Sequence, residues 1–472
     1  MVFNSLIFAA FFVVVTILYF VLPHKYRWGL LLAASCYFYM YFLPIYILIL
    51  GFTIVVDYFA GIYIGKAEGK NRKKWLTLSL IANISVLAFF KYYNFFNKSL
   101  TDFLGVFDYY NHIPFLKILL PVGLSFHTFQ AMSYTIEVYR GHQKPERHFG
   151  IYALYVMFYP QLVAGPIERP QNLLHQFHEK KHFNYDRAVS GLKLMLWGLI
   201  KKLVVADRLS IYIDAVYGNY QFHSGITMIV ATFFFMFQIY CDFSGYSDIA
   251  IGAARVMGFN LMTNFRRPFF SKSIREVWQR WHISLTTWFR DYLYFPLGGS
   301  RKGKLKLARN IFIVFAVSGL WHGAAWTFVI WGVLNGFLLV GEQILDPVLK
   351  KIHILLGPLK NIVRVFFTLL MFVGIAVFFR APDVSQAFTM LGDMITLKPG
   401  HIFKGEPPVN FGYYIFAIAF LVGVEFFEEY YPRVKVINNE NVVIRYTGYV
   451  VLLTILLMVG VFNGGQFIYF QF

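Results

Sequence analysis

Apolar segments separated by short polar turns run the length of the chain. After an apolar start at residues 1–23 they fall near 28–50, 51–65, 75–95, 114–138, 148–166, 188–205, 224–241, 243–258, 308–341, 362–380, 410–428 and 444–464. A helix needs about 20 apolar residues to cross a bilayer, so the pattern predicts an all-α polytopic membrane protein with about eleven spanning helices. Several segments are short or broken by Pro and Gly. These predict re-entrant pieces, because non-helical backbone at membrane depth survives only where protein or a water-filled cavity covers it. The first run, MVFNSLIFAAFFVVVTILYFVLP, has no basic flank and no small-x-small cleavage site, and it is longer than the apolar core of a signal peptide. It is expected to stay as the first transmembrane helix. The basic turn HKYR (24–27) then sets the N-terminus outside and this turn inside. No fixed-period or inverted repeat is evident.

Two stretches depart from this rhythm. Residues 311–340, IFIVFAVSGLWHGAAWTFVIWGVLNGFLLV, are apolar enough to span, and His322 is their one ionisable side chain. An ionisable group at membrane depth is costly to hold there, which points to function; the alternative is a buried histidine bonding a neighbouring helix. Gly319, Gly323 and Ala324 leave room beside it for a backbone or a ligand. The second stretch, Arg266 to Arg309, interleaves charges and tryptophans. Read as a helix from Ser273, it sets Trp278, Trp281, Leu285, Trp288 and Tyr292 on one face, with Arg275, Gln279, Arg290 and Asp291 mostly off it. Ser273 and Glu276 have capping-box spacing. An amphipathic helix at the inner membrane surface, or dipping into the bundle, is expected.

His282 lies in that amphipathic helix. Two histidines offer acid, base or hydrogen-bonding roles near neutral pH, and burial favours the neutral form that a general base needs. No serine, cysteine or carboxylate is spaced as a nucleophile beside either one, which favours direct transfer between two bound substrates. By spacing alone, a metal site or a proton path stays open.

Other polar groups interrupt apolar runs. QLVAGPIERP carries Glu168 and Arg169 at a helix break that either lines a cavity or simply ends the segment. DFSGYSD carries Asp242, Ser244, Tyr246 and Asp248, expected as a polar lining or as structural partners for the basic Arg266–Arg290 region. In PVGLSFHTFQ, Ser125, His127 and Gln130 are polar at depth, and His127 is read as a structural hydrogen-bonder.

Composition narrows the class. With 58% hydrophobic and 14% charged residues the chain is not a soluble globular protein. No Pro/Ser-rich linker divides its 472 residues, so a single membrane domain is expected over 1–472. The net charge of +19 gathers in turns such as KAEGKNRKK, RKGKLKLAR and KKIHILLGPLK, matching the positive-inside rule and anionic headgroups rather than nucleic acid. Two cysteines, Cys36 and Cys241, support neither a disulfide framework nor a zinc site.

The motifs WHISLTTWFRDYLYFPLGG (281–299) and SGLWHGAAWTFVIWG (318–332) resemble those of the membrane-bound O-acyltransferase superfamily. MVFNSLIF, PVGLSFHTFQAMSYTIEVYR (121–140), QLVAGPIERP (161–170) and YCDFSGYSDIAIG (240–252) narrow the resemblance to its bacterial alginate O-acetyltransferase-like branch. The resemblance implies a bundle with re-entrant and amphipathic helices around a central tunnel, with the catalytic core at about 115–345. It also implies transfer of acetyl groups from a cytoplasmic thioester to an extracytoplasmic polysaccharide, in the cytoplasmic (inner) membrane. Motif by motif, His322 is similar to the family's catalytic histidine and His282 to its second active-site position. His322 is then expected as general base, with His282 orienting the donor or stabilising the oxyanion. Trp278, Trp281, Ser284, Trp288, Arg290, Asp291, Tyr292, Trp321, Glu168, Asp242, Tyr246 and Gln130 are candidates for the substrate route. The basic residues of 266–309 would attract coenzyme A phosphates or an acidic carrier. The donor expected from the resemblance is acetyl-CoA or another acyl thioester, with no resident cofactor or metal expected; an extracytoplasmic SGNH-type acetyltransferase is the expected partner. The alternatives are D-alanyl transfer from a carrier protein to teichoic acid, and an acyl-group transporter.

Overall fold

The computed structural model describes residues 1–118, 120–301, 303–434, 436–462 and 467, and the backbone alone at 352 and 353. Leu119, Lys302 and residues 463–464, which fall within expected segments and turns, lie outside the described residues. The described chain is predominantly helical; its one strand-like feature is an isolated bridge between His223 and His401. Among the described residues, seven helices are long and apolar enough to cross a membrane: Tyr46–Lys66, Lys70–Gly105, Gly225–Met257, Trp326–Lys351, Gly357–Arg380, Asn410–Tyr430 and Val442–Val459. Leu6–Val21 is apolar but shorter. This is the all-α polytopic class.

Side-chain exposure within a helix shows the solvent for which these surfaces are built. In Tyr46–Lys66, Leu48, Phe52, Val55, Phe59 and Tyr63 are exposed, while Leu50, Ile54, Asp57, Gly61 and Ile64 are buried. The outward stripe is therefore as apolar as the inward one, and the polar residue faces in. A water-facing helix would be arranged the other way round.

The expected count of about eleven spans rested on apolar stretches, and some of these are divided or joined. Segments 224–241 and 243–258 form one helix, Gly225–Met257, because DFSGYSD continues helical across the join. Segment 148–166 breaks at Phe158, ahead of Pro160, into the short buried helices Phe149–Met157 and Tyr159–Leu162. Segment 308–341, expected as one span, is two helices: Lys304–His322 and Trp326–Leu355.

The chain forms two compact units. The first comprises Met1–Met195 with Ser247–Met262, and the second Leu196–Tyr246 with Thr263–Phe472. Within the first, helices are tied by buried polar contacts. Asp57 accepts hydrogen bonds from Ser79 Oγ at 2.6 Å and from Asn83 Nδ2 at 2.8 and 2.9 Å. Glu168 ends that unit's broken segment, accepting from Asn172 Nδ2 at 2.6 Å and from the Met262 backbone N–H. Within the second, an apolar core rich in Phe and Trp surrounds both candidate histidines.

Candidate active site

Two departures from regular helix build the site, and both lie in the second unit. The first is the sharp hairpin between Lys304–His322 and Trp326–Leu355. Its helices approach at glycines: a Cβ on Gly319 would sit 2.2 Å from the Phe328 carbonyl oxygen, and one on Gly332 2.2 Å from that of Phe315. The first helix ends because Gly323 turns to extended backbone, with the Phe328 ring where a side chain would be. His322 is thus the last residue of its helix, at a hairpin tip, rather than midway along a span. Its ring packs against Trp321, Trp331 and Phe379, at centroid distances of 5.0, 5.2 and 5.4 Å.

The second departure is at His282. The expected amphipathic helix is two short helices, Ile274–Arg280 and Ile283–Phe289, because His282 adopts left-handed backbone (φ 43°, ψ 52°). Such backbone is costly for a residue with a Cβ and persists only where surroundings impose it. Asn264 supplies part of that constraint: its carbonyl accepts from the Ile283 N–H at 2.9 Å, and its side-chain oxygen from the Ser284 N–H at 3.2 Å. The N-cap half of the expected capping box forms, with Ser273 Oγ accepting from the Glu276 N–H at 3.0 Å, while the Glu276 carboxylate accepts from the Lys272 N–H at 2.8 Å. Trp278, Trp281 and Trp288 are all buried, so these helices dip into the protein.

The two breaks bring the histidine rings to 6.4 Å, centroid to centroid. His282 is 1% exposed and His322 4%. Phe243 meets the His282 ring edge-on at 4.5 Å, and Trp321 lies 6.0 Å away. His282 lies outside the seven apolar spans; burial first, and then the neighbouring His322, hold it well below the ordinary histidine range, so the ring is neutral. His322 opens on a small cavity whose remaining lining is apolar, including Trp281, Trp331, Phe372 and Phe379. Among the described residues no group of three or more His, Cys, Asp and Glu side chains is arranged to hold a metal.

The other candidates are distributed as follows. Trp281 and Trp321 stand beside the histidines, and Trp278 packs on Phe315 and Trp331 at 5.1 and 6.0 Å. Ser284 is fully buried and donates to Asn264 Oδ1 at 2.9 Å. Trp288 packs on Tyr292 at 5.1 Å, and Arg290 pairs with Asp291 at 2.8 Å toward the exposed end. Tyr246 is buried against Phe467. Asp242 is a structural partner, but its cation is Lys202, which also pairs with Asp207, at 2.7 and 2.8 Å. Of the basic cluster expected to draw phosphates, Arg267 and Arg280 pair with Glu276, Glu428 and Glu429. Glu168 and Gln130 belong to the first unit, where Gln130 Nε2 donates to the Tyr155 carbonyl. Sequence reasoning passed over Asn264, Trp331 and Phe379. An asparagine ahead of RRP reads as loop, and nothing local marks two more aromatics as a wall for His322.

Comparison with known proteins fits this arrangement. The model of the membrane-bound O-acyltransferase family matches residues 146–381, a stretch holding both histidines. The chain is 38% identical to the "Probable alginate O-acetylase AlgI" of Pseudomonas aeruginosa over 401 residues, covering 84% of this chain and 75% of that protein. It is 35% identical to the peptidoglycan O-acetyltransferase of Helicobacter pylori over 396 residues, covering 78% and 73%. Similarity to the teichoic acid D-alanyltransferase of Bacillus subtilis is weaker, at 26% over 258 residues, covering 51% and 63%.

Proposed function

The chain belongs to the membrane-bound O-acyltransferase family, and from that premise we propose that it transfers acetyl groups from a cytoplasmic thioester to a hydroxyl on the extracytoplasmic side of the inner membrane. The acceptor is a polysaccharide or an SGNH-type partner that passes the group on, and the donor is acetyl-CoA or another acyl thioester. D-alanyl transfer is the weaker reading, since the D-alanyltransferase relative matches about half the chain at lower identity.

The observation that carries the proposal is the pair of buried histidine rings 6.4 Å apart, one opening on a small apolar cavity. In the reaction proposed, a hydroxyl oxygen attacks the thioester carbonyl carbon while His322 takes the hydroxyl proton. The tetrahedral oxyanion collapses, the carbon–sulfur bond breaks, and the proton on His322 goes to the departing thiolate. General-base action of this kind is worth about 10²–10⁴-fold. His282 holds the reacting groups in line. Wide separation between the histidines would have required two sites; adjacency permits one.

The test is His322→Ala, with polysaccharide ester content and membrane protein level measured together. Acetylation should vanish while the protein stays at normal amount; unchanged acetylation would refute the assignment. Labelled acetyl-CoA given to the purified protein with an acceptor separates transfer from transport, because a transporter moves acetyl without forming an ester.

A further inference from the structure

Asn264 stands 18 residues before His282 in the chain, yet its side-chain oxygen lies 3.2 Å from His282 Nδ1. The same oxygen receives the Ser284 backbone N–H at 3.2 Å and the Ser284 hydroxyl at 2.9 Å. A backbone N–H can only donate, so the amide atom it meets is the oxygen, not the NH2 group. That oxygen carries lone pairs alone. His282 Nδ1 must therefore bear the proton and donate it to Asn264. A neutral imidazole has one N–H, so Nε2 is left with a lone pair.

We propose that Asn264 is a positioning residue that locks His282 as the Nδ1–H tautomer and so makes Nε2 a hydrogen-bond acceptor. The proposal rests on the two-histidine reading above and narrows it. A lone pair at Nε2 repels an oxyanion and welcomes an O–H. Of the roles open to His282, oxyanion stabilisation falls away. What remains is accepting an N–H or O–H of the bound acyl donor and so orienting it, which leaves the single proton of the attacking hydroxyl to His322. Asn264 also fixes the backbone break, through its carbonyl on Ile283 at 2.9 Å, so one residue sets both the position of the ring and its protonated nitrogen. Described ring contacts to His282 include Phe243, Phe265, Trp321 and His322, and His322 is the titratable group among these four.

The experiment is the nitrogen NMR spectrum of full-length protein labelled with ¹⁵N-histidine in lipid, with His282→Gln used to assign the signal. Wild-type protein should give a neutral His282 protonated on Nδ1. Asn264→Ala should shift the signal toward the Nε2–H form and lower acetyl transfer by about 10²-fold or more, as wrong-tautomer variants of catalytic histidines do. Asn264→Asp keeps an acceptor at the same atom and should retain the Nδ1–H form. A wild-type His282 protonated on Nε2, or an unchanged tautomer at full activity in Asn264→Ala, overturns the inference. If Asn264→Ala fails to accumulate, the wild-type spectrum decides alone. Full transfer by His322→Ala would defeat the base assignment without altering this spectrum, so the two failures are distinguishable.

Discussion

The hairpin that carries His322 can be tested at a distance from any reacting atom. In Gly319→Ala the new methyl would lie 2.2 Å from the Phe328 carbonyl oxygen, 3.0 Å from its carbon and 3.3 Å from Gly332 Cα. All three atoms are backbone and cannot rotate aside. Ordinary contact begins near 3.4 Å, so the two helices must part by about 1.2 Å at this point. Alanine would by itself favour the helix by about 0.5–1 kcal/mol. Overpacking costs about 1–3 kcal/mol and should prevail. His322 is three residues away, less than one turn, and would be carried with the parted helix. A misplacement of about 1 Å can cost about 10²-fold in rate, and that is the expected loss in acetyl transfer per mole of protein. Labelled-acetyl transfer and melting in detergent would be measured side by side. Gly341→Ala is the control: it lies in the partner helix with nothing within 4 Å, and should keep full activity. Adding Gly332→Ala to Gly319→Ala should cost less than the two separately, since one separation accommodates both. Wild-type turnover and melting in Gly319→Ala would refute the idea that this contact positions His322.

Three further outcomes are expected. His282→Ala should lower transfer severely yet incompletely, since it removes the group that aligns the reactants and leaves the base; loss no greater than fivefold in a labelled-acetyl assay would contradict this. Lys202→Met leaves Asp207 and Asp242 buried without their cation, which should cost about 3–5 kcal/mol, seen as a large drop in melting temperature that Asp207→Asn with Asp242→Asn restores. Glu168 lies outside the apolar spans, and burial raises its carboxyl from 4.5 to about 7 against the pull of Asn172, Met262 and Arg169. A carboxyl raised in the folded state binds more protons folded than unfolded, so its contribution to stability falls as pH rises from about 4.5 to about 7. The melting temperature should therefore decline across that window in the wild type more than in Glu168→Gln, and parallel profiles would sink the assignment.

Much of the fold was legible because lipid-facing helices are apolar on every face, and hydropathy records that directly. The candidate histidines were legible by chemical type, as costly groups in apolar surroundings. Their geometry was not. The stretch around residues 311–340 is uniformly apolar through the turn, so hydropathy reads one helix where Gly323 and the Phe328 ring end it. The helix face from Ser273 onward has good 3.6-residue periodicity on both sides of His282, and the break there is imposed by Asn264, far off in sequence. Asp242 was read as a structural partner, but Lys202 lies 40 residues away and only packing chooses it over a nearby arginine. In each case a tertiary contact overrode a locally consistent pattern.

The glycine contact has a mechanical consequence. Gly319 and Gly332 act as the fulcrum of a lever with very unequal arms. His322 is three residues from the fulcrum, about 4.5 Å along the helix, whereas Leu355 is 23 residues beyond Gly332, about 35 Å away. A tilt of about 5° would swing the far end by about 3 Å and the histidine by about 0.4 Å, within the ~0.5 Å to which reacting groups must be held. Membranes of differing thickness tilt their helices to match. This hairpin lets its long arm absorb that adjustment while the short arm stays inside the tolerance of the chemistry, so turnover should be nearly indifferent to acyl-chain length in the surrounding lipid.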